Sequence, residues 1–208
     1  MRPADLLRDA LAESRELLDR LPAMGDVLDR LGRELLACWE RKGKLLIAGN
    51  GGSAADAMHF AEELVVRFRK NRRALAAIAL CDATVISCAG NDLGYDSVFE
   101  RQVEALGNPG DVFIAMTTSG NSTNLLRALA RARSQGLVTV AFLGKGGGQA
   151  RGQADLELVI PSDNTARIQE AHKLLFHTLC EWVDAQVDVS TTASPVTTPA
   201  VPPLRAAA

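Results

Sequence analysis

Five short apolar runs recur along the chain: KLLIAG at 44–49, LAAIAL at 75–80, DVFIAM at 111–116, VTVAFLG at 138–144 and LELVIP at 156–161. Runs of this length, bounded by polar or glycine-containing stretches, read as strands. Helical spacing fills the gaps between the first four, over 54–68, over 83–90 with a second piece at 95–106, and over 122–135. Strands that alternate with helices are joined by right-handed crossovers, and repeated crossovers build a parallel sheet. The unbroken apolar character of the runs fits strands covered on both faces. The fold class is therefore α/β.

Two amphipathic helices are expected ahead of the first strand, over 4–20 and 25–41. Leu6, Leu7, Leu11, Leu17 and Leu18 recur at helical spacing in the first, and Val27, Leu28, Leu31, Leu35 and Leu36 in the second. LPAMGD separates them and offers Asp26 as a cap. Such a pair either covers the sheet or forms an oligomer surface. A last helix is expected from about Asn164 to Val187, after the fifth strand. The sequence from 190 to 208, STTASPVTTPAVPPLRAAA, has Pro and Thr punctuation without periodicity and reads as a disordered tail. With no internal repeat and no linker, residues 1–189 are expected to form one domain.

Bulk properties remove several classes of function. A formal net charge of -2 over 208 residues gives no global attraction to nucleic acid or to an anionic membrane. No apolar run approaches the ~20 residues that span a bilayer. The N-terminal stretch carries charges throughout and has no signal-peptide pattern, so a cytoplasmic location is the default expectation. Cys38, Cys81, Cys88 and Cys180 are scattered and never form a Cys-x-x-Cys pair, which argues for reduced thiols rather than disulfides or a thiolate metal site.

Ligands of open parallel sheets bind outside the carboxyl ends of the strands. Two loops there carry suitable chemistry: Asn50-Gly51-Gly52-Ser53 after the first strand, and Thr117-Thr118-Ser119-Gly120-Asn121-Ser122-Thr123 after the third. Each precedes a helix, so free backbone N–H groups and the positive end of the helix dipole face the loop. The hydroxyls of Ser53, Thr117, Ser119 and Ser122 add donors for phosphate oxygens. Neither loop matches a nucleotide-binding motif. One such loop alone would read as turn and capping chemistry; two on neighbouring strands favour a phosphate. GKGGGQARG at 144–152, after the fourth strand, reads as a flexible turn, with shaping of the pocket mouth as the alternative.

His59 and Glu63 are four residues apart and share a helix face, a spacing that suits joint metal ligation or an acid–base pair. The same spacing serves a solvated ion pair. Glu62 points about 100° away. The last helix carries Gln169, His172 and His177. Gln169 and His177 fall near one edge of a face, whereas His172 and His177 stand about 140° apart, so one face cannot present both. RFRKNRR at 67–73 reads as a basic helix end from which one arginine can reach a sugar phosphate.

GNGGSAADAMHFAEEL (49–64), GNDLGY (90–95), TSGNS (118–122) and RIQEAHKLLFH (167–177) together resemble the phosphoheptose isomerases, which are sugar-isomerase (SIS) domain proteins acting on sedoheptulose 7-phosphate. The resemblance runs from about residue 3 to 187. It implies a five-stranded parallel sheet of flavodoxin-like order and a homotetramer with active sites at subunit interfaces. The substrate-binding set it implies is Asn50, Gly51, Gly52, Ser53, Arg67, Asn91, Asp92, Thr117, Thr118, Ser119, Ser122 and Gln169, with Ser53, Thr117, Ser119 and Ser122 on the phosphate. It further implies zinc, bound in some members by residues matching His59, Glu63, Gln169 and His177, and catalysis by Glu63 and His177. The implied reaction makes D-glycero-D-manno-heptose 7-phosphate through an enediol, toward ADP-heptose for lipopolysaccharide or capsule. Thr117 replaces a common serine and keeps its hydroxyl, and Val65-Val66 stands where Thr-Gly is frequent. The alternative is a non-catalytic SIS protein that binds a replication initiator or senses a sugar phosphate; the presence of both Glu63 and His177 favours the enzyme.

Overall fold

The computed structural model describes residues 1–187. The tail expected at 190–208 lies outside the described residues. Two helices, α1 (Pro3–Leu18) and α2 (Gly25–Glu40), lead into β1 (Leu45–Gly49) and α3 (Gly52–Val65). Then come β2 (Ala77–Ala79), α4 (Ala83–Asp92), α5 (Val98–Leu106), β3 (Val112–Thr117), α6 (Thr123–Ser134), β4 (Val138–Leu143), β5 (Leu156–Val159) and α7 (Thr165–Gln186). Every strand pairing is parallel, and the order is β2-β1-β3-β4-β5, the flavodoxin-like order.

The pleat divides the core. Leu45, Ile47, Val112, Ile114, Met116, Val140 and Phe142 point to one face, where α2, α3 and α7 cover them. Leu46, Ala48, Phe113, Ala115, Ala141 and Leu143 point to the other, under α5 and α6. Residues i and i+2 of a strand share a face, so a run that is apolar at every position must be buried twice. All of β3 is buried for this reason. Both leading helices lie on the first face, α2 against β5 and α7.

Several local expectations change. Asp26 does not cap α2; Met24 occupies that position and Asp26 lies in the first turn, where its charge still meets the positive end of the dipole. The helix expected over 54–68 ends at Val65. The cause is Arg72, whose guanidinium donates to the carbonyls of Glu63 (2.7 Å) and Leu64 (2.8 Å) and so terminates the helix. RFRKNRR is therefore an irregular segment with one buried arginine rather than a basic helix end. The 144–152 stretch is also more than a flexible turn. Gly146, Gly147 and Gly148 all take positive φ, and Ala150 N–H donates to Gly120 O (2.9 Å) while Gln149 N–H donates to Asn121 Oδ1 (3.0 Å). A Cβ on Gly120, itself at φ +65°, would overlap the Gly147 carbonyl oxygen. The glycines allow this strap to lie directly on the serine-rich loop.

Candidate active site

β1 connects outward to β2, and β3 lies on the other side of β1, so the crevice between the carboxyl ends of β1 and β3 is the switch point where open sheets bind ligands. Register pairs Gly49 with Met116, which brings the two predicted loops side by side. Asn50 and Asn124 tie them together through reciprocal amide hydrogen bonds, each 3.0 Å. The Tyr95 hydroxyl donates to Asn50 Oδ1 (2.9 Å), adding the GNDLGY segment to the same junction.

The loop hydroxyls divide into two groups. Thr117 Oγ1 accepts Gly120 N–H (3.1 Å) and Ser119 Oγ accepts Asn121 N–H (3.2 Å), bonds that shape the loop but leave both hydroxyl protons to donate outward. Ser122 is the N-terminal cap residue of α6 yet makes no side-chain capping bond, and the buried Ser53 side chain has no hydrogen bond among the described residues. Capping and turn chemistry therefore does not consume these groups. Gly51 opens α3 at φ +56°. Gly52 faces Gln169, whose Nε2 would stand 2.5 Å from a Cβ there. Thr118 is half-buried in the second loop.

α3 and α7 run side by side in the same sense, Gly52 beside Gln169 at the start and Phe60 stacked on Phe176 further along (5.1 Å between centroids). This pairing unites side chains 118 residues apart. His59 Nε2 lies 3.1 Å from Glu63 Oε1 and 3.5 Å from His177 Nε2. One ligand atom from each of the three lies within 4.8 Å of the others. The His177 imidazole titrates below the ordinary histidine range, first because it is partly buried and second because His59 stands against it. Two imidazole nitrogens and a carboxylate that converge in this way are a donor set of zinc type. Gln169 makes no hydrogen bond to the three among the described residues; its amide lies nearer the loop end of α3, about 12 Å of helix rise before His177.

His172 is the structural histidine of the last helix. It is fully buried beneath Phe142, with Nε2–H donating to Leu143 O (3.2 Å) and Nδ1 left without a partner. Arg67, Asn91 and Asp92 are exposed, and among the described residues none bonds to the two loops or to His59, Glu63 and His177. Sequence reasoning gave no individual role to Asn124, Asp184, Tyr95 of GNDLGY or Arg72 of RFRKNRR. Asn124 had a weak signal, a polar residue directly ahead of the apolar stripe of α6. Asp184 had a stronger one, an acid within the buried stripe Phe176, Leu179, Cys180, Val183.

An SIS domain model matches residues 11–144. The chain is 49% identical over 187 residues to the phosphoheptose isomerase of Paramagnetospirillum magneticum, covering 89% of this chain and 97% of that protein. It is 46% identical over 181 residues to phosphoheptose isomerase 1 of Campylobacter jejuni, covering 86% and 97%. The chain belongs to the phosphoheptose isomerase family. The structure of phosphoheptose isomerase GmhA from Neisseria gonorrhoeae superposes with a TM-score of 0.83 at 36% identity, over 88% of this chain and 100% of that one. Membership in the phosphoheptose isomerases makes the chain an SIS-domain enzyme of the isomerase class. Among the described residues no helix is long and apolar enough to cross a membrane.

Proposed function

We propose that the protein interconverts sedoheptulose 7-phosphate and D-glycero-D-manno-heptose 7-phosphate, the first step toward ADP-heptose for lipopolysaccharide or capsule. One observation carries the reading beyond family membership: α3 begins at a loop with uncommitted hydroxyls and N–H donors and holds, further along, the carboxylate of Glu63 in one cluster with the imidazoles of His59 and His177. Such a helix has a phosphate grip at one end and acid–base chemistry on the same body.

The ketose becomes an aldose when a proton leaves carbon 1 and returns at carbon 2 through an enediol. Glu63 is the base that removes and returns it, because one carboxylate oxygen can serve both carbons in turn. A second proton must pass between the two oxygens, and His177 is the acid–base partner for it. Without a metal, His59 holds Glu63 by a hydrogen bond and so fixes the direction of its carboxylate. Ser53, Thr117, Ser119 and Ser122, with Asn50, Gly51, Gly52 and Thr118 shaping the loops, bind the phosphate; that distant binding energy fixes the reacting carbons. Gln169, against Gly52, contacts the sugar between the two ends. His59, Glu63 and His177, with Gln169, would hold zinc, which polarises a carbonyl and stabilises the developing oxyanion.

The active form is a homotetramer in the cytoplasm. Two observations support the assembly. Leu6, Leu7, Leu11 and Leu18 leave α1 with exposed apolar side chains, as do Met58 on α3 and Leu174 on α7. Arg67, Asn91 and Asp92, matched to substrate contacts, are exposed and make no bond to their own chain's loops among the described residues, which fits sites completed by a neighbouring subunit. The tail at 190–208 is outside the catalytic unit, 1–189.

The test is incubation with sedoheptulose 7-phosphate, with and without zinc, with the aldose as readout and Glu63→Gln and His177→Ala alongside. Turnover by wild type and loss of about a hundredfold or more in each variant is expected. Absence of turnover in both conditions sinks the substrate assignment; full activity in Glu63→Gln removes the base. Sedimentation of the protein at assay concentration reads the tetramer directly.

A further inference from the structure

The buried ion pair between Arg72 and Asp184 lies outside the chemistry described so far, yet it touches both helices that carry it. The two side chains are 0% and 3% exposed, and Arg72 Nε lies 2.9 Å from Asp184 Oδ1. Asp184 Oδ2 accepts two further bonds, from the backbone N–H of Arg69 (2.8 Å) and of Lys70 (2.9 Å). Three more guanidinium donors go to the carbonyls of Glu63, Leu64 and Arg73. Among the described residues this is the one ion pair with both side chains below 5% exposure.

Three consequences follow from these bonds. Arg72 caps the last turn of α3, the turn that carries the catalytic carboxylate, so the backbone carbonyl of Glu63 is held by the guanidinium. Asp184 lies two turns beyond His177 on α7, so the same pair locks α3 against α7 along their common axis. The three donors on Asp184 also bend residues 66–72 into one shape, and that shape lays the Phe68 ring flat against the His177 imidazole, 5.5 Å between centroids at 27°. Phe176 packs edge-on against the same imidazole at 4.7 Å. His177 thus packs against the rings of Phe68 and Phe176 as well as His59, and Phe68 belongs to the segment that Asp184 organises.

We propose that Arg72 and Asp184 are positioning residues for the isomerisation: they set the relation of Glu63 to His177, through the end of α3 and through Phe68. This rests on the assignment of Glu63 and His177 to the reaction. Neither Arg72 nor Asp184 touches substrate. Helix termination alone would need only donors on the last carbonyls. It would not need a carboxylate that also gathers the 69–70 backbone.

The test uses the full chain with zinc present, which is diamagnetic and permits NMR. Asp184→Asn is nearly isosteric and cannot accept three charge-assisted bonds; Arg72→Lys keeps the charge and loses the fork. Kinetics are measured with sedoheptulose 7-phosphate, and the His177 ring protons, assigned by their loss in His177→Gln, are followed as a probe of the Phe68 ring current. The expected result is a fall in kcat of about tenfold or more with KM within about twofold, since a small misplacement of reacting groups acts on the transition state. The His177 resonances should move in the same variants, toward their positions in Phe68→Leu. A folded Asp184→Asn with wild-type kcat, or with a loss confined to KM, overturns the proposal. So does a lowered kcat with unmoved His177 resonances. If Asp184→Asn does not fold, Phe68→Leu carries the test, because it leaves the ion pair intact; wild-type kcat there overturns it equally. Absence of turnover by wild type would refute the substrate assignment instead, and the resonances would then decide whether the clamp places His177.

Discussion

His172 ties the stability of the catalytic helix to pH. Burial drives its pKa from the ordinary 6.5 down to about 4, and the Leu143 carbonyl bonded at Nε2 offsets only part of that. Protonation would add a hydrogen to Nδ1, which is buried and has no acceptor. A histidine that stays neutral when folded and protonates when unfolded makes the unfolded state bind more protons. Stability therefore falls as pH drops below the unfolded value of 6.5 and levels off below about 4. The size follows from the two values. At about 1.4 kcal/mol per unit, the loss is about 2 kcal/mol at pH 5 and about 3 kcal/mol at pH 4. That is a large part of the ~5–15 kcal/mol available to a typical domain. His172→Gln can donate an amide to Leu143 O without titrating, at a pH-independent cost of about 1–3 kcal/mol. Urea unfolding of both proteins, followed by circular dichroism from pH 7.5 to 4.5, isolates this residue from carboxylates common to both. The variant is expected to start less stable and to close most of the gap by pH 4.5. Parallel curves would refute the reasoning and would mean that His172 takes up its proton at the same pH in the folded as in the unfolded protein.

Further outcomes are expected at the loops and the donor cluster. Gly120→Ala must place a Cβ at positive φ against the Gly147 carbonyl, so it should lower thermal stability and raise KM for the phosphorylated substrate, read by a melting curve and by initial rates. Asn124→Ala removes both amide bonds to Asn50 and should cost about 1–3 kcal/mol in denaturant unfolding, with KM raised because the two loops lose their tie. His59→Ala removes a nitrogen from the three-residue cluster, and a competition titration with a chromogenic chelator should show zinc affinity reduced at least tenfold; unchanged affinity would place the metal elsewhere.

The five apolar runs determined the sheet because burial on both faces is written into every residue of a buried parallel strand; β3, apolar at all but its last position, needed no other signal. Helical periodicity located α1, α2 and α7 to within a few residues for the same reason. The two loops were legible because they come as a pair on neighbouring strands; either alone would read as turn and capping chemistry. His59 and Glu63 were legible as a pair because they lie on one helix. Their meeting with His177 was not, since helical spacing on α7 says nothing about what α7 packs against. The family resemblance supplied that pairing in advance, and the parallel alignment of α3 with α7 supplies its physical cause.

Long-range polar contacts stayed outside the reach of pattern. Asn50 with Asn124, Arg72 with Asp184 and the glycine strap over the serine loop all join segments separated by tens of residues. Each depends on where the sheet brings chain ends together, and none leaves a periodic trace. Arg72 shows the difference most plainly. In the sequence it is one of five basic residues in a row of seven. In the fold it is the one of the five that is buried, and the carboxylate it pairs with sits two turns past His177 on the neighbouring helix. Composition and periodicity determined which segments are strands, helices and loops, since those follow from burial and local backbone preference. Tertiary packing decided which polar groups meet, because that depends on the distances between elements, and distance is what a linear sequence does not contain.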